Sequence, residues 1–63
     1  MLKTNDIVLT KGGRVAVVER MAWMPYRGTG RWVAGVRLAE DGHSLAIVAS
    51  SLRLHPWREK LND

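Results

Sequence analysis

Four aromatic side chains and ten basic ones are the groups in this 63-residue chain best suited to engaging a ligand. Two of the three tryptophans and the single tyrosine fall in one short stretch, "WMPYRGTGRW" at 23–32, together with Arg27 and Arg31. An aromatic ring offers a face on which a nucleic-acid base can stack, for about 1–3 kcal/mol per base and with little regard to sequence. A neighbouring guanidinium forks onto phosphate or lies flat on a base. Gly28 and Gly30 let the backbone come close to such a ligand. The predicted site is therefore a nucleic-acid site, for DNA or RNA, made of Arg14, Arg20, Trp23, Tyr26, Arg27, Arg31 and Arg37. Two other readings stand beside it. Aromatics and Arg with little acid also make protein-contact hot spots, so the same loop could be buried against another protein or a second copy. The rings could instead close a small core at one end of the fold.

Charge sharpens the first reading. Residues 11–37 hold Lys11, Arg14, Arg20, Arg27, Arg31 and Arg37 against one acid, Glu19, while the whole chain carries a net charge of only +4. All of the excess positive charge thus belongs to the middle of the chain. Such a window attracts a polyanion at long range. A solubilising basic face is the plainer alternative.

Other chemistries find less support. Ser44, Ser50 and Ser51 lie near His43 and His55, but no third group stands at a triad-like position, and neighbours in sequence need not be neighbours in space. Glu40 and Asp41 read as solvated turn residues. The chain has no Cys, which excludes disulfides and thiolate metal sites. His43 and His55 lack a second ligand pair, so no metal is expected. Gly28-Thr29-Gly30 lacks the Lys-Ser/Thr of a phosphate-binding loop, so no nucleotide cofactor is expected either. The chain reads as a binding protein and not an enzyme.

The elements that must position these groups are strands. "DIVLT" (6–10) and "RVAVVERMAWM" (14–24) are rich in β-branched residues and flank the turn "KGG". In the second run Ala16 and Val18 share one face and Val15 and Val17 the other. Glu19 and Arg20 break that alternation, which predicts a bend or bulge near 18–20. Pro25 cannot donate to a ladder, so it ends this strand or sits at an edge. "PYRGTGR" (25–31) reads as a loop. "RWVAGVRLA" (31–39) alternates cleanly, with Trp32, Ala34, Val36 and Leu38 on one face, which puts Trp32 in the core or at its rim. "EDG" (40–42) is a turn suited to a tight hairpin. "HSLAIVA" (43–49) follows with Leu45, Ile47 and Ala49 in phase. "SSL" (50–52) is a single turn, "RLH" (53–55) a last short strand, and 56–63 a polar tail in which Trp57 packs back or extends an interface. Val18, Val36, Leu38, Ile47 and Leu52 are the predicted core.

These elements make one all-β domain over 1–63, with its core in 5–55 and the arrangement of a small five-stranded barrel. A chain of this length buries only about 60% of its unfolded surface, so its stability is marginal and self-association is one way to raise it. No signal peptide or membrane-spanning run is visible, and with no Cys the expected setting is the cytoplasm.

Several of these stretches also carry a resemblance. "NDIVLTKGGRVAVVER" and "RWVAGVRLAEDGHSLAIVASSLRL" resemble the SH3-like barrels of the KOW and Tudor-like group. Gly13, Val15 and Val18 match that group's Gly-x-Val-x-x-Val run, Ser50 to Arg53 its closing Ser-x-Leu-Arg, and Val33 and Val36 follow Trp32 with a looser spacing. The resemblance spans residues 5–55 and implies a five-stranded SH3-like barrel with a single 3-10 turn before its last strand. This fold hosts many unrelated roles. The plasmid-type trimethoprim-resistant dihydrofolate reductases are similar in size and in their basic, Trp-containing barrel. Their substrate strand reads Val-Gln-Ile-Tyr. Ala46 and Val48 stand where the Gln and Tyr would be, so the polar groups of that activity are missing here.

Overall fold

The computed structural model describes residues 2–56. It is all-β: β1 (Ile7–Leu9), β2 (Val15–Tyr26), β3 (Thr29–Leu38), β4 (Ser44–Val48), a 3-10 turn at Ala49–Ser51, and β5 (Arg53–Leu54). The strands form one antiparallel sheet in the order β4-β3-β2-β1-β5. β4 and β5 are its two edges and do not pair with each other, so the sheet is open. Trp57 and the remainder of the expected tail lie outside the described residues.

Apolar alternation decides which face is covered. Ala16, Val18, Ala34, Val36 and Leu38 turn inward and meet Val8 from β1 and Leu52 from the segment after the 3-10 turn. Leu2, Met21 and Ile47 pack around this cluster half-buried. Four of the five predicted core residues are thus buried, and Ile47 lies at the margin because β4 is an edge strand. Among the described residues Val8, Val18 and Val36 are the largest side chains to be fully enclosed. No aromatic ring among the described residues is buried: Trp32 sits at the rim, 38% exposed. Leu45 is in phase with Ile47, as expected, yet is 45% exposed on that same edge.

The predicted bulge is present. Val18 pairs with Val36 and Arg20 with Gly35, which leaves Glu19 as the extra residue. The loop expected at 25–31 is not there. Strands continue to Tyr26 and Thr29, and the connection is a two-residue turn of Arg27 and Gly28, with φ of 43° and 78°. Positive φ at both central positions is the hairpin turn whose twist matches that of its strands. Pro25 is accommodated because a two-residue turn makes Tyr26 and Thr29 a bonded pair. Alternation then aims the nitrogen of Pro25 away from β3, toward an edge that β1 does not reach. The turn after β3 is wider than a tight hairpin: Leu38 N–H donates to the His43 carbonyl across four residues, with Gly42 in the left-handed region.

Candidate nucleic-acid interface

β1 pairs with β2 only over Val15–Val17, and β4 pairs with β3 only over Val33–Arg37. The far halves of β2 and β3 therefore form an arm, a two-stranded ribbon from Met21 to Trp32 that no other described strand flanks. Its two faces differ in chemistry. On the core side Trp23 stands opposite Trp32, the rings edge to face with centroids 5.6 Å apart and planes at 68°. Gly30 provides the bed for Trp23, since a Cβ there would lie 2.4 Å from Trp23 Cζ2. On the outer side Met24 pairs with Arg31 and Tyr26 with Thr29, which sets Arg31 diagonal to Tyr26 on one surface. The Arg31 guanidinium carbon lies 5.7 Å from the Tyr26 ring centre, and that of Arg27, in the turn, lies 5.4 Å from it. Both distances are within the range of cation–π attraction. Tyr26 remains 53% exposed with both cations close to its ring.

Arg20 belongs to the same outer side. Gly35 faces it with no side chain, and the Arg20 stem lies over that gap: a Cβ on Gly35 would be 3.1 Å from Arg20 Cγ and 3.4 Å from Nε. Ala22, Met24, Val33 and Ala46 complete a shallow apolar depression beside it. Met24 lies four positions beyond Arg20 along β2, about 13 Å at strand rise. The outer side of the arm is thus an apolar floor with a cation at each end. Sequence reasoning passed over that floor. The signal available for it was the run of small or apolar residues at alternate positions, Ala22 and Met24 against Val33 and Gly35.

The other predicted residues are placed differently. Arg37 donates to Glu19 at 2.7 Å, and Arg14 Nε lies 3.2 Å from Glu40 near the opposite end of the sheet. Exposed pairs of this kind contribute about 0–1 kcal/mol and yield readily to another anion. Trp23 is 53% exposed but lies on the side of the ribbon away from Tyr26, so the structure does not bring the two rings onto one surface. Arg20, Tyr26, Arg27 and Arg31 are grouped on one side, which Arg37 shares while held by Glu19. Among the described residues no ion pair engages Arg20, Arg27 or Arg31.

The groups weighed for catalysis are at the turn after β3. His43 Nδ1 lies 2.9 Å from Asp41 Oδ2, and His43 N–H donates to Asp41 Oδ1. Those two bonds from His43, the backbone one first, hold the Asp41 carboxyl below its ordinary range, and the side-chain bond to Asp41 raises the His43 imidazole above its own. Ser44 Oγ points to Glu19 Oε1, at a long 3.5 Å, and not into this pair. Among the described residues no group of three or more His, Cys, Asp or Glu is placed to hold a metal ion, and no helix is long and apolar enough to cross a membrane. No family model matches the chain, and neither a curated protein nor a solved structure matches it.

Proposed function

We propose that this chain is a non-enzymatic nucleic-acid-binding domain whose working surface is the outer side of the β2–β3 arm. One observation carries the reading. Arg27 occupies a left-handed backbone position, φ 43°, where Asn or Gly is the favoured residue and other side chains cost about 1–2 kcal/mol. At that position its guanidinium sits against Tyr26, which the guanidinium of Arg31 also approaches. A strained cationic residue beside an exposed ring suits a ligand with both a flat face and a negative charge. A nucleotide has both.

In this reading a base stacks on Tyr26, Arg27 and Arg31 take the flanking phosphates, and Arg20 takes a further one across the apolar floor. Arg14 and Arg37 add long-range attraction. The strand order, with a 3-10 turn before the last strand, supports an SH3-like barrel of the KOW and Tudor-like group as the parent fold. A cytoplasmic setting goes with this reading.

A binding titration with unstructured oligothymidylate and its RNA counterpart, repeated over a range of salt, tests the function. Affinity should fall with salt, with a slope of log K against log salt of about −0.7 per phosphate contacted. Arg31→Ala and Arg27→Ala should each flatten the slope by close to one contact. Tyr26→Ala should weaken binding and leave the slope unchanged, because stacking is not ionic. Trp23→Ala, on the opposite side, should leave both unchanged. Absence of binding even at low salt overturns the proposal.

A second reading rests on a separate observation. Trp23, Trp32 and Met24 are all exposed on the arm, spread over both of its faces. A protein partner, or a second copy enclosing the arm, would cover them. A tight complex in which Trp23→Ala costs more than Tyr26→Ala would favour that reading.

A further inference from the structure

We propose that the open edge of β4 is a self-pairing surface, on which a second copy of this chain adds its own β4 antiparallel about a two-fold axis. The inference does not rest on the nucleic-acid reading, because the pairing runs through the backbone edge of β4, although the Ala46 side chain also lines the depression beside Arg20. Its first support is the edge itself. Natural sheets protect their edges with Lys, Pro, inward-pointing charge or a covering segment. β4 reads Ser44-Leu45-Ala46-Ile47-Val48, with no charge and no proline, in a chain where a quarter of the residues are charged.

The register supplies the second support. Leu38 N–H donates to the His43 carbonyl, so bonded pairs recur at Val36 with Leu45 and at Ala34 with Ile47. The peptide groups of Ser44, Ala46 and Val48 then point to the open edge. A two-fold axis at Ala46 pairs Ser44 with Val48 of the second copy and Ala46 with its own equivalent. The same axis sets Leu45, 45% exposed, opposite Ile47 of the second copy on the inner face, continuing the apolar row of the core.

Charge supplies the third. Two copies at +4 each repel, and a contact between them must keep like charges apart. In this register no charged side chain of β4 meets another. Glu19 and Arg37, next to Ser44, already neutralise each other, and His43 falls opposite Ala49 of the second copy. Ala46 at the centre has too little side chain to obstruct the approach. A single five-residue strand buries well under the about 1,000 Å² of a durable complex, so the dimer is weak and forms toward millimolar concentration.

Sedimentation equilibrium from about 10 μM to about 1 mM, on the wild type, Ala46→Lys and Ser50→Lys, tests this. Ala46→Lys sets two like charges opposite each other across the axis, while Ser50→Lys adds the same charge off the strand. The wild type and Ser50→Lys should rise toward twice the monomer mass, and Ala46→Lys should stay monomeric with an unchanged circular dichroism spectrum. Amide hydrogen exchange on the wild type decides the matter even if Ala46→Lys fails to fold. Protection at Ser44, Ala46 and Val48 should grow with concentration. A monomer mass throughout overturns the proposal and leaves the edge to a foreign strand. Equal association by Ala46→Lys, or concentration-dependent protection confined to 23–32, overturns it in favour of contact through another surface.

Discussion

The effect of Gly30→Ala on stability is expected to depend on what stands at position 23. A Cβ at Gly30 would lie 2.4 Å from Trp23 Cζ2, 2.6 Å from Cε2 and 2.9 Å from Nε1. Carbon atoms in contact sit about 3.5–4.0 Å apart, so the indole must retreat by about 1 Å or more. That movement separates it from Trp32, and an edge-to-face aromatic pair contributes about 0.5–1.5 kcal/mol beyond its burial. Replacing Gly by Ala within a strand works the other way, by about 0.5–1 kcal/mol. Position 30 lies in a strand and outside the left-handed region, so Ala meets no backbone strain there. In the wild type the two effects nearly cancel, and Gly30→Ala should shift stability by less than about 1 kcal/mol. With Trp23→Ala already in place the obstruction is gone and the strand effect acts alone, so the same substitution should stabilise by about 0.5–1 kcal/mol. Urea unfolding of the four proteins in this cycle yields a coupling of about 0.5–1.5 kcal/mol. The exciton couplet of the two indoles in the far-ultraviolet circular dichroism should fade with Gly30→Ala alone. An equal effect of Gly30→Ala in both backgrounds, or an intact couplet, would refute the reasoning.

Arg27→Asn should raise stability by about 1 kcal/mol in thermal or urea unfolding, since Asn accepts the left-handed position, and should weaken oligonucleotide binding in the same preparation. Leu38→Ala should cost about 2–5 kcal/mol. For a chain of this length, whose total stability is about 3–9 kcal/mol, much of the population would be unfolded by circular dichroism at 25 °C. In an NMR pH titration His43 should titrate above the ordinary 6.5, and Asp41→Asn should return it to that value. The signs follow from linkage. The raised His43 pKa contributes stability that is complete below 6.5 and is lost as pH rises through the folded value. The lowered Asp41 pKa contributes above 3.8 and is lost as pH falls through its folded value. The pair therefore acts across the mildly acidic range, and Asp41→Asn should flatten the pH profile of stability there.

The parts of the fold legible in the sequence are those governed by local alternation. Trp32 to Leu38 alternates without interruption, and the structure places its in-phase residues inward or at the rim. The break at Glu19 and Arg20 likewise announced the bulge. The arm was not legible, because Pro25, Gly28 and Gly30 are the residues that usually mark loops. Their usual meaning belongs to strands with two neighbours, and beyond Arg20 the ribbon has open edges where a missing N–H does no harm. Reading 25–31 as a loop also hid the sidedness of the site. Residues three apart in a strand face opposite ways, which separates Trp23 from Tyr26. The pairing of Arg37 with Glu19 and of Arg14 with Glu40 depends on which strands lie side by side, and spacing along the chain does not carry that information.

Glu19 makes the direction of the arm separable from its composition. A chain lacking this one residue could pair Val18 and then Arg20 with Val36 and Gly35 in ordinary succession, and every side chain farther along would keep its face. What would change is the angle, because a bulge adds twist and bends the strand that carries it. A substitution anywhere in the ribbon alters what the tip offers; a one-residue deletion here alters where the tip is aimed. The same deletion removes the carboxylate that holds Arg37, so the re-aimed arm would also come with a freed cation beside its base. Length variation at this position is therefore a compact route by which related chains could present one binding surface at different orientations.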